Sequence, residues 1–126
     1  MHSLYHPHID YRDSDALKQF EGGDWGPESG LYEVKDSQIQ TFAHTTNNHQ
    51  WIHTDDERST KESPYGKKIA HGLYLLSLIP GLDATNGFTL TGNSVRIIRR
   101  IEHVRFPAPA YAGDRICARS RLLAVE

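Results

Sequence analysis

Apolar positions along this chain gather into one long run, residues 69–82, where Ile69, Leu73, Leu75, Leu76, Leu78, Ile79 and Leu82 fall on nearly every face of a helix. That pattern predicts a helix buried on most sides. The run is too short and too interrupted to cross a bilayer, and Pro80-Gly81 supplies a stop. Upstream the apolar positions thin out. Residues 31–35, LYEVK, alternate and predict a short strand. Ser37 and Gln40 match a capping box, and Ile39, Phe42 and Ala43 then carry an amphipathic helix to about His44. Residues 55–61 predict a second short helix, with Asp55, Asp56 and Glu57 ahead of Arg58 and Lys61, as the helix dipole favours. One helical turn is expected over residues 15–20.

Beyond Leu82 the period changes from helix to sheet. Residues 87–91 are strand-like, residues 94–106 predict a long strand whose alternation slips at Ile97-Ile98 as at a bulge, and residues 115–125 predict a last strand. Residues 1–30 read as an irregular arm with a loose terminus, dense in turn formers from Glu21 to Gly30. A buried helix followed by antiparallel strands predicts an α+β class and one domain over residues 1–126. Three or four strand-like runs are few for covering such a helix, since sheets more often have about four to six strands.

Composition changes this picture little. A formal charge of −2 gives no general reason to expect nucleic acid, and aromatic residues interleaved with the arginines of the last third are sparse. Those arginines, Arg96 to Arg121, would suit a local anionic group such as a cofactor phosphate, or simply the solvated face of strands. The single cysteine, Cys117, excludes an internal disulfide framework and is expected as a packed thiol. Residues 1–10 lack a basic start followed by an apolar core, so a soluble, cytoplasmic protein without membrane attachment is expected.

Candidate chemistry sits at the start of the apolar run and in the loop before it. Gly72 in a first helical turn costs roughly 1 kcal/mol against alanine, which is easier to understand if something approaches the backbone there closely. First-turn N–H groups also suit a polarised oxygen. His53 ends the polar loop, and His71 precedes Gly72. Trp51 reads as a core anchor, and His71 as a residue that packs or orients the loop without moving a proton. His44, His49 and His53, or His2, His6 and His8 near the terminus, show no compact metal-ligand spacing, so no metal is expected.

Three blocks, FAHTTNNHQWIHTD, ESPYGKKIAHGLYLLSLIPGL and EHVRFPAPAYAGDRI, stand in an order and spacing that resembles the MaoC-like, (R)-specific enoyl-CoA hydratase family. The resemblance runs from about Leu31 to the end. It implies a hot-dog fold, in which a long central helix is wrapped by a curved antiparallel sheet. It also implies a homodimer and an acyl thioester of coenzyme A as substrate or ligand, with no further cofactor. In that family an aspartate and a histidine hold a water and deliver it across the double bond of an enoyl thioester. The matching histidine is His53, the aspartate position is Asn48, and the Gly72 N–H matches the donor to the thioester carbonyl. A carboxamide cannot accept a proton at neutral pH, so Asn48 implies reduced turnover with His53 as the one titrating member. The sheet implied by the resemblance is left incomplete here or is completed by a partner chain.

Two other functions stay open on the same residues. A hot-dog binding module would hold an acyl thioester or another apolar small molecule without chemistry, which Asn48 favours. A thioesterase would want a carboxylate in the loop before His53 to activate water, and none is present there.

Overall fold

The structure, a computed structural model, describes residues 6–126. His2 therefore lies outside the described residues. Two compact units are present, one formed by Leu31–Leu82 with Val104–Cys117, the other by residues 6–30 with Asp83–His103 and Ala118–Glu126.

The first unit holds most of the regular structure. Strand β2 (Tyr32–Glu33) pairs antiparallel with β4 (Arg115–Ile116). Helix α2 (Asp36–Thr46) follows, then the single turn α3 (Trp51–Thr54), α4 (Asp56–Glu62), α5 (Gly72–Leu78) and a 3₁₀ turn over Ile79–Leu82. The core joins Val34, Ile39, Ala70, Tyr74 and Ala110, with Phe42, Leu75 and Leu78 against it. Helix α4 starts as expected, with the Asp55 carboxylate accepting from the Arg58 N–H at 2.9 Å. Helix α2 does not start as expected. It begins two residues earlier, with Lys35 rather than Ser37 as N-cap, so Ser37 lies inside the helix and no capping box forms, while the Gln40 amide donates to Asp36 and to the His53 carbonyl. Its end is fixed by Asn47 in the left-handed region (φ 55°), a conformation asparagine tolerates.

The apolar run does not make the most buried helix. In α5 the inward stripe is His71, Tyr74, Leu75 and Leu78, at helical spacing, while Leu73 on the other side is 64% exposed and Ile79 is exposed too. Helix α2 instead carries the fully buried side chain, Ile39 at 1%. The run's second apolar face has no cover among the described residues.

In the second unit β1 (His8–Asp10) pairs parallel with β3 (Thr89–Thr91), and the short helix α1 (Ser14–Lys18) brings Leu17 onto Ile9 and Phe88. The N-terminal arm is thus not loose over the described residues. Gly22, Gly26 and Ser29 donate backbone hydrogen bonds to Leu122, Ser120 and Ala118, so the arm runs along the last segment of the chain. Gly26 is required there, because a Cβ would collide with the Thr85 carbonyl. The long strand over residues 94–106 is not regular, and Ile97 is 75% exposed. A strand needs a neighbour to bond its backbone, and this segment has no ladder partner among the described residues. The last predicted strand is regular only at Arg115–Ile116, and Cys117 is exposed rather than packed.

Candidate active site

The loop between α2 and α4 is built around the turn α3, which carries His53. Three contacts from distant positions grip that turn. The buried Ser59 hydroxyl donates to the Trp51 carbonyl at 3.1 Å, the Gln40 amide donates to the His53 carbonyl at 2.9 Å, and the Ile69 N–H donates to the Ile52 carbonyl at 3.1 Å. Lys68 ties the starts of α2 and α4 together, its ammonium 2.9 Å from Asp36 and 3.3 Å from Asp56. Burial works against the charge on Lys68, but the hydrogen bonds to the two carboxylates outweigh it and raise its pKa. Trp51 is half-buried rather than a core anchor, with the Arg58 guanidinium 4.5 Å from the ring centre.

The His53 ring is fixed by Nδ1, 2.7 Å from the Ile69 carbonyl oxygen. A carbonyl oxygen can only accept, so Nδ1 carries the proton and the neutral ring presents Nε2 as its free lone pair. That is the state a general base needs. His71 lies flat against it, ring centres 3.8 Å apart and planes 24° from parallel. His71 is buried, 3% exposed, and its Nε2 is 3.2 Å from the Asn48 carbonyl oxygen. Burial pushes the His71 imidazole below its ordinary pKa, the Asn48 carbonyl acts in the opposite direction, and His53 and His49 lower it further.

The His53 ring and the Asn48 backbone carbonyl thus both meet His71, and Gly72 follows His71 as the first residue of α5. The Gly72 N–H has no intrahelical acceptor, as for any first-turn residue. What approaches its backbone closely is the ring of Phe106: a Cβ at position 72 would sit 3.0 Å from three ring carbons. Gly72, Phe106, Tyr65, Leu75 and Pro109 line an apolar cavity of about 190 Å³. His53 and Asn48 are not among its lining residues.

Sequence reading singled out His53, Asn48, Gly72 and His71 but missed their supports. Gln40, Ser59, Lys68 and Phe106 act across 8 to 34 positions of sequence, as from Ser59 to Trp51 and from Phe106 to Gly72. No local pattern marks a partner at that range.

The MaoC like domain family matches residues 27–125. The chain belongs to that family. It is 38% identical over 99 residues to the 3-hydroxyacyl-thioester dehydratase Z of Mycobacterium tuberculosis, a match covering 79% of this chain and 64% of that protein. The chain therefore spans less than two thirds of that relative's length. Nodulation protein N of Rhizobium leguminosarum bv. viciae is 34% identical over 97 residues, covering 75% of this chain and 60% of that one. Among solved structures, the monoamine oxidase regulatory protein from Archaeoglobus fulgius superposes with a TM-score of 0.67 at 31% identity, over 82% of this chain and 67% of that one. The fold is the α+β hot-dog fold of MaoC-like proteins, with α5 and its 3₁₀ turn as the central helix and only part of the sheet among the described residues.

Proposed function

We propose that this MaoC-like domain adds or removes water at a 2-enoyl thioester, coenzyme A being the thioester's carrier. The observation that carries the reading is His53, held through Nδ1–H on the Ile69 carbonyl with Nε2 left to accept a proton. The dehydratase name of the Mycobacterium tuberculosis relative supports the same chemistry. In the hydration direction His53 Nε2 takes a proton from water as the oxygen bonds to C3 of the enoyl group. The electron pair moves onto the thioester oxygen, where the Gly72 N–H stabilises it, and C2 then takes the proton from His53.

Asn48 replaces a proton acceptor with an amide, so its part is reduced to orienting the water, and turnover is lower than an aspartate would allow. The assay is hydration of crotonyl-CoA by the full chain. His53→Ala is expected to remove at least about 10²-fold of the rate, and Asn48→Asp to raise it by about 10²-fold. A wild-type chain that binds crotonyl-CoA without turnover, unchanged by Asn48→Asp, selects the alternative reading, a non-catalytic hot-dog module for an acyl thioester. That alternative rests on Asn48 alone.

A homodimer belongs to the same proposal. In each unit large apolar side chains face solvent, Leu73 and Ile79 in one and Val95, Ile97 and Ile98 in the other, and exposed apolar patches mark interaction sites. A second copy is the occupant a two-fold assembly would supply. Sedimentation at rising concentration should show association, and a monomer at every concentration rejects it. Among the described residues no helix is long and apolar enough to cross a membrane. A cytoplasmic site of action without nucleic acid is part of the proposal, consistent with the net charge of −2.

A further inference from the structure

We propose that His71 is a positioning residue for His53: its ring, anchored on the Asn48 carbonyl and stacked face to face on the neighbouring imidazole, locks His53 in the Nδ1–H tautomer with Nε2 presented. The lock has two parts. The hydrogen bond from His53 Nδ1 to the Ile69 carbonyl, 2.7 Å, fixes which ring nitrogen faces that carbonyl. It does not fix the plane itself, because a single hydrogen bond leaves the ring free to tilt about it. The stacked His71 ring, 3.8 Å away at 24°, removes that freedom.

His71 can only do this if it is itself immobile and neutral. Its Nε2 faces the Asn48 carbonyl at 3.2 Å, so the single proton of the neutral ring sits on Nε2. Phe42 packs on the ring at 4.9 Å between centres. The remaining nitrogen, Nδ1, is buried and has no hydrogen-bond partner among the described residues. A second proton there would leave a buried N–H without an acceptor and a cation against His53, both costly. The two carbonyls thus assign the tautomers in opposite senses, Nδ1–H on His53 and Nε2–H on His71. The same hydrogen bond ties the Asn48 backbone carbonyl to the stack.

The tautomer assignment stands on geometry; its effect on rate rests on the hydratase reading, and the experiment separates the two. Imidazole nitrogen–proton correlation spectra of the full chain, labelled with ¹⁵N-histidine, should show His53 protonated at Nδ1 and His71 at Nε2 near neutral pH. In His71→Leu the His53 Nδ1–H signal should lose at least about half its intensity to the other tautomer or to exchange. In His71→Phe, which keeps a stacked ring and loses the bond to Asn48, the signal should persist. Should His71→Leu fail to fold, His71→Asn, with a donor but no ring to cover His53, carries the same expectation of a lost signal. On crotonyl-CoA, His71→Leu should lower kcat by about 10- to 100-fold, as loss of positioning does, with KM within about twofold. A wild-type His53 protonated at Nε2, or a His53 signal indifferent to His71→Leu, overturns the proposal. Correct tautomers that are lost in His71→Leu, with no turnover in wild type or in Asn48→Asp, uphold it and sink the hydratase reading instead.

Discussion

Helices α2 and α5 lie in the same unit and meet in the same core, yet they use their apolar residues in opposite ways. Helix α2 has few, and all of them point inward: Ile39 and Ala43 are buried and Phe42 packs on Tyr74 and His71. Helix α5 is apolar on nearly every side, but only one stripe is covered by this chain, with Leu73 and Ile79 left exposed. Burial depends on what lies opposite a side chain, and hydrophobicity supplies only the tendency to be buried. The contrast also separates duties. Helix α2 anchors the core, whereas the start of α5 brings His71 against His53 of α3 and places the glycine under Phe106.

The largest effect separating the two helices should come from Ile39→Ala. Removing a fully buried branched side chain costs about 2–5 kcal/mol, which urea denaturation of the full chain would register. If Leu76→Ala, at a half-buried position of α5, costs as much as Ile39→Ala, the ranking of the two helices is wrong.

A smaller effect concerns pH. Burial holds the folded His71 below its ordinary value of 6.5. As pH falls through that ordinary range the unfolded chain takes up a proton that the folded site refuses, so stability should decline toward acid and be fully present above it. Denaturation midpoints between about pH 7 and pH 5 should therefore fall less steeply in His71→Phe than in wild type. Equal slopes would mean that His71 already charges in the folded protein.

The smallest effect is expected on the bare face of α5. Leu73→Ala should change the stability of a dilute, dissociated chain by no more than about 0.5 kcal/mol. The same substitution should weaken self-association measured by sedimentation, because the exposed face is where a second copy would gain cover. A large stability loss at dilution would show that this face is packed within the chain after all.

Several features were legible in the residues themselves. The helical spacing in α2, the acidic start of α4 and the stop at Pro80-Gly81 depend on neighbours a few positions away, and each is where local chemistry puts it, within a residue or two. The motif pair HQWIH and IAHG marked His53, His71 and Gly72 for the same reason: the chemistry of a loop and a helix start is written in short segments. The family followed from those segments too.

Only the tertiary structure decided the rest. The long strand expected over residues 94–106 is irregular because strand geometry requires a partner, and pairing is a property of the chain's path. The capping box at Ser37 did not form because the helix starts at Asp36 and takes Ser37 into its first turn, while the Gln40 amide donates to the His53 carbonyl that turn α3 brings near. The tautomer of His53 is set by the Ile69 carbonyl and its plane by His71, 16 and 18 positions away. Sequence alone names the groups capable of chemistry, because composition and period are local. Which lone pair is presented, and which apolar face is covered, depends on backbone atoms and side chains that only folding brings into range.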